Sequence, residues 1–157
     1  MLYFGYCTFL NRSELERFLP GSEVIAQAYA TNHRVEFRGS DTRDDRGWCH
    51  LEGGPSAAGQ RAYGIVVRHA PELFETDYQG FDRVFLTVYG TDGATYDCWT
   101  YVMSAPRDHV RPPDDYWRDV PLGLEQWEFP AEYVEAVLDT YRSARPARSE
   151  PKPEGRT

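Results

Sequence analysis

Asp92-Gly93 stands between two runs of strand-forming residues, Val84–Tyr89 and Thr95–Met103. Asp-Gly between two such runs is a strong signal for a tight turn joining antiparallel strands. A hairpin is therefore predicted, and with it a sheet containing antiparallel pairs. Further strands are expected at residues 2–8, Val24–Ala30, His33–Arg38, around Trp48–Leu51 and at Ala62–Arg68. In His33–Arg38, Val35 and Phe37 fall on one face, and Arg34, Glu36 and Arg38 on the other.

Helices are fewer. Asn11 suits an N-cap, Glu14 would complete a capping box, and Leu10 and Leu15 stand where a hydrophobic staple closes. Pro20-Gly21 ends that helix, Arg12–Leu19. Pro71–Tyr78 reads as a short helix capped by Gly80. Residues 105–128 are read as mostly loop. Pro130 then opens a helix to Tyr141, with Tyr133, Val134, Val137, Leu138 and Tyr141 in a stripe. The segment 142–157, rich in Arg, Pro, Ser and Glu, is expected to be a disordered tail after a single domain at 1–141. The class is α+β, read as a mixed barrel with short helices.

Composition narrows the function classes. At 157 residues the chain can bury a core without a metal or disulfide staple. A net charge of -8 argues against a nucleic-acid partner, which needs a basic face. Apolar runs are too short for a membrane-spanning helix. The three cysteines, Cys7, Cys49 and Cys98, show no CxxC, and His33, His50, His69 and His109 are scattered, so neither a metal nor another cofactor is expected. Unpaired thiols imply a reducing, cytoplasmic setting.

Six segments resemble, in order, the motifs of the gamma-glutamylcyclotransferase-like family. Tyr3-Phe4-Gly5-Tyr6-Cys7-Thr8-Phe9-Leu10 is similar to YFxYGSNL. Ala62–Val67 is similar to HGVLY, Leu73–Gly80 to LDxYEG, and Cys98–Met103 to AWVYVM. Pro112–Tyr116 is similar to PSxxY, and Phe129–Tyr133 to LPxxYI. The resemblance implies a six-stranded barrel flanked by short helices. It implies metal-free chemistry in which the α-amine of a gamma-glutamyl group attacks its own side-chain amide and releases 5-oxoproline. A glutamate in LDxYEG moves the proton.

Two departures bear on that chemistry. The acid position holds Gln79, and a carboxamide does not take a proton near neutral pH; losing a general base costs ~10²–10⁴ in rate. Gly-Ser-Asn becomes Cys7-Thr8-Phe9, and Cys7 lacks the conformational freedom of glycine. Gln79 and Cys7 are the candidate catalytic residues, Cys7 as a thiol nucleophile with His50 as a conceivable base. Glu75, Asp77 and Asp82 are nearby carboxylates. Tyr6, Cys7, Thr8, Phe9, Leu10, Phe85, Tyr101 and Tyr116 are the expected substrate contacts. The implied partner is a small molecule with an amino-acid-like or gamma-glutamyl-like part; a homodimer stays open. Two readings compete: an enzyme acting on an amide or acyl bond in an altered reaction, and a binding or scaffold protein that kept the barrel and lost the acid.

Overall fold

The computed structural model describes residues 1–75 and 77–148. Seven strands are present among them: β1 Leu2–Gly5, β2 Glu23–Thr31, β3 His33–Arg38, β4 Trp48–Gly53, β5 Arg61–Arg68, β6 Phe81–Gly90 and β7 Thr95–Met103. Five close into a barrel in the order β1-β5-β2-β6-β7. β3 and β4 form a separate two-stranded ribbon rather than a sixth stave.

The predicted hairpin is β6–β7, in register from Phe81↔Met103 to Tyr89↔Thr95. Gly93 takes φ 85 at its turn, which an L side chain rarely adopts. The short aromatic strand β1 closes the barrel. It runs antiparallel to β5 and parallel to β7, where Tyr3 faces Trp99. Gly64 of β5 permits this closure, because a Cβ there would press on the Gly5 carbonyl and the Phe4 ring. Tyr3, Phe4, Ile65, Val66, Val67, Val88 and Trp99 lose essentially all contact with water. Each such side chain contributes about 1.5–3 kcal/mol of apolar burial.

Among the described residues four α-helices flank the barrel: α1 Arg12–Phe18, α2 Asp114–Trp117, α3 Asp119–Glu125 and α4 Ala131–Ser143. Asn11 caps α1 by accepting from the Ser13 N–H at 3.3 Å. Glu14 does not close a capping box; it pairs with Arg17 at 2.7 Å. α2 and α3 occupy a stretch whose prolines suggested loop. Their seat is tertiary: α3 packs on the Cys7–Leu10 turn, and Gly123 allows the approach, since a Cβ there would sit 2.7 Å from the Asn11 nitrogen. Pro71–Glu75 is a 3-10 turn, shorter than the helix expected.

The stripe on α4 meets β3 and β5, and Tyr133 donates to the Tyr63 carbonyl at 3.1 Å. Past α4 the chain is not loose as far as it is described. Ala144 is buried, the Arg111 N–H donates to the Arg145 carbonyl at 2.7 Å, and the Arg148 N–H donates to the Asp45 carbonyl at 2.8 Å. The disorder expected from 142 onward thus fails for 142–148; the rest of that segment lies outside the described residues.

In β3 the alternation holds for Val35 and Phe37 but breaks at Glu36, which is 1% exposed. Its two oxygens take Arg34 at 2.7 Å and Arg38 at 2.8 Å. A carboxylate is tolerated there because two guanidiniums neutralise it.

Candidate functional site

The turn after β1 is the start of the site. Tyr6 is extended, and Cys7–Leu10 form one 3-10 turn. Cys7 sits at φ 57, a region costly for a side chain with a Cβ. The turn therefore keeps a backbone shape that glycine would adopt freely, contrary to the restriction expected from cysteine. What holds it is tertiary. Cys7 is joined by a disulfide to Cys49 of β4, Cα to Cα 6.5 Å, across 42 residues of sequence. Trp127 donates its indole N–H to the Leu10 carbonyl at 2.9 Å.

Inside this turn lies a cavity of about 40 Å³. It is lined by Tyr3, Tyr6, Thr8, Phe9, Trp48, Cys49, Tyr78, Phe81, Tyr101 and Tyr116. Eight of those ten are aromatic, and none is acidic. The space suits about one water molecule. Two of its hydroxyls are engaged: Tyr6 donates to the Tyr101 carbonyl at 2.7 Å, and Tyr116 accepts the Cys49 N–H at 2.9 Å, while the buried Tyr3 hydroxyl has no hydrogen-bond partner among the described residues. Burial pushes the Tyr116 phenol up to about 12 and raises Tyr3, Tyr6, Tyr78 and Tyr101 as well. These phenols stay neutral near pH 7.

Gln79 is not among the lining residues. It is exposed, and it borders a separate groove of about 460 Å³ together with Ser40, Arg43, Trp48 and Met103. Trp48 is the wall that the two spaces share. The side chain before it, Tyr78, is the one that reaches the cavity. A carboxamide standing where a proton shuttle would be needed is thus not what this geometry holds.

The other sequence candidates divide. Tyr6, Thr8, Phe9, Tyr101 and Tyr116 converge on the cavity. Leu10 is fully buried in the core outside it. Phe85 is 73% exposed: it shares a face of β6 with Phe81 and stands opposite Trp99, but it lies farther along the strand, outside the cavity lining. Cys7 is no free nucleophile: its sulfur is bonded to Cys49, so the unpaired-thiol reading of the cysteines is corrected, and only Cys98 is a free thiol. Burial pushes the Cys98 thiol up to about 12, the opposite of activation. His50 does not face Cys7 as a base. Its Nε2 lies 3.0 Å from Glu52, and its Nδ1 accepts the Met103 N–H at 3.1 Å. Asp77 is exposed beside Arg83 at 3.4 Å, and Asp82 accepts from the Ser104 hydroxyl at 2.8 Å.

Sequence reasoning missed Tyr3, Trp48, Cys49, Tyr78 and Phe81. Tyr3 and Phe81 enter through strand parity. Trp48 carried a signal, a large ring within a polar Gly- and Asp-rich stretch.

Glu36, His50 and Glu52 bring ligand atoms within 4.8 Å of one another on the β3–β4 ribbon. Glu36 already spends both oxygens on arginines and His50 both nitrogens on protein partners, so the donor set is poorly suited to a cation.

The architecture matches solved structures over nearly its whole length. A gamma-glutamyl cyclotransferase superposes with TM-score 0.77 at 19% identity, over 97% of this chain and 92% of that one. The chain has the gamma-glutamyl cyclotransferase fold. An uncharacterized human protein also superposes with TM-score 0.77 at 19% identity, covering 96% of this chain and 91% of its own. YkqA from Bacillus subtilis gives 0.74 at 16% identity over 93% of this chain and 55% of that one. No family profile matches the chain, and no curated protein does. At these identities the likeness is one of fold.

Proposed function

We propose that this chain uses the cyclotransferase fold to bind a compact, amino-acid-like small molecule, and that it does not release 5-oxoproline from gamma-glutamyl substrates. One observation carries the reading: the cavity beside the opening turn is walled by eight aromatic rings and no carboxylate. Cyclisation needs a group that removes a proton from an ammonium. Neutral phenols and a threonine hydroxyl do not supply one near pH 7.

The rings favour an apolar or planar group on the ligand. The space as it stands is small, while ligand pockets commonly span about 300–1,000 Å³. Trp48, half-buried, separates the cavity from the groove beside Gln79, and a swing of that ring would join the two. The enzyme reading draws less from the geometry, because Cys7 is bonded and Gln79 faces outward.

The test pairs two measurements on one preparation. Gamma-glutamyl-alanine is incubated with the protein and 5-oxoproline is followed by chromatography; no release above the uncatalysed rate is expected. Aromatic amino-acid amides are titrated by calorimetry into the protein and its Trp48→Ala variant. Saturable binding that Trp48→Ala changes supports the reading. Turnover of gamma-glutamyl-alanine overturns the non-cyclising part, and no binding of any amide overturns the ligand class.

A further inference from the structure

A different recess, of about 520 Å³, opens where the segment before β4 meets the segments at Arg111–Asp115 and Pro146–Arg148. Its size falls in the usual range for a ligand site. Apolar wall comes from Pro112, Pro113, Pro146 and Tyr141. Four arginines and three aspartates complete the lining.

Three of those charges are spoken for. Arg43 forks onto Asp45 at 3.0 and 2.7 Å, and Arg111 donates to the Tyr141 carbonyl at 3.0 Å. Arg46 differs. Its Nε–H is buried with no hydrogen-bond partner. Its guanidinium carbon lies 4.7 Å from the Trp48 ring centre and 5.9 Å from that of Tyr116. Such stacking fixes the plane of the guanidinium.

The placement is built into the backbone. The Gly47 N–H donates to the Arg111 carbonyl at 2.9 Å, and a Cβ on Gly47 would overlap the Val110 carbonyl. Only glycine lets the chain lie so close at this point between Arg46 and Trp48. A buried N–H without an acceptor is costly, and an incoming acceptor would recover that cost.

We propose that this recess binds a small carboxylate carrying an apolar group, with Arg46 as its anchor. With Arg43 and Asp45 cancelled, Arg46, Arg111 and Arg148 face Asp114 and Asp115, so the recess favours a monoanion over a dianion. A carboxylate accepts two parallel N–H bonds from the guanidinium edge. The proline and tyrosine walls would take an aliphatic or aryl tail.

Benzoate is the probe, and the readout is the Nε–H signal of Arg46 in a ¹H–¹⁵N spectrum, assigned with Arg46→Gln. A saturable shift of that signal is expected, absent with benzyl alcohol and with chloride at equal ionic strength. By calorimetry, binding should weaken at least tenfold in Arg46→Gln and several-fold in Arg46→Lys, which keeps the charge but loses the fork. Circular dichroism establishes that the variants fold; if Arg46→Gln does not, Arg46→Lys decides alone. A shift no larger than chloride gives, unchanged binding in the decisive variant, or equally tight binding of inorganic phosphate overturns the proposal. The amide titrations report on the aromatic cavity and the benzoate shift reports on Arg46, so a failure of that cavity to bind amides is distinguishable from a failure here.

Discussion

Trp99 donates its indole N–H to Nε2 of His69 at 2.8 Å, in a part of the barrel wall where neither ring reaches water to any extent. An indole only donates, so Nε2 must be a bare lone pair. Nδ1, 2.8 Å from the Ala70 carbonyl, then carries the proton.

His69 is thereby held neutral. Burial, with the nearby N-terminal ammonium, depresses its affinity for a proton below the ordinary imidazole value of 6.5. Burial lowers His50 likewise. The unfolded chain takes these protons more readily than the folded one, so stability is full above about 6.5 and declines as pH falls through that value. Urea unfolding at pH 7.5 and 5.5 should give a lower midpoint at 5.5. Equal midpoints would contradict the neutral assignment.

The Cys7–Cys49 bond closes a loop spanning 42 residues. In the chain-entropy account a loop of that length restricts the unfolded state by about 4 kcal/mol. Unfolding with and without a dithiol reductant should differ by a few kcal/mol, and Cys49→Ser should match the reduced protein. Alkylation of the denatured, unreduced chain should label one cysteine, Cys98. Three labels would show that the pair is not bonded in solution.

Glu36→Leu strands two guanidiniums. Breaking a buried ion pair costs about 3–5 kcal/mol when the survivor cannot reach water. Arg34 and Arg38 keep 33% and 21% of their side-chain exposure, so a loss of about 2–3 kcal/mol is expected, by chemical denaturation. Glu36→Gln should lose less, because the amide oxygen still accepts from one arginine.

Gln79→Glu restores the letter that the family resemblance implies at this position. Gln79 faces the outer groove, so the new carboxylate would stand in water and leave the aromatic cavity without a base. No 5-oxoproline release from gamma-glutamyl-alanine is expected. Activity gained by this one change would place the chemistry in the groove and displace the binding reading.

How far the sequence could be read depended on whether a residue's fate was decided locally. The Asp92-Gly93 hairpin, the β3 strand and the stripe on α4 are short-range patterns, and each came out at or near its expected bounds. The helices α2 and α3 did not, because their prolines say loop and only the fit of Gly123 against Leu10 and Asn11 says otherwise. Phe85 was misplaced for a related reason: it shares a face of β6 with Phe81, and only closure of the barrel around β1 sets which stretch of that face meets the cavity. The disulfide was invisible because nothing near Cys7 or Cys49 in sequence encodes that β4 crosses the opening turn.

The torsion at Cys7 has a consequence for recognising such chains. Where a glycine is expected, a cysteine is bent into the same geometry by a covalent tether and the packing around it. Detection keyed to the glycine letter would pass over proteins of this kind, while a comparison of backbone angles along the first ten residues would retrieve them.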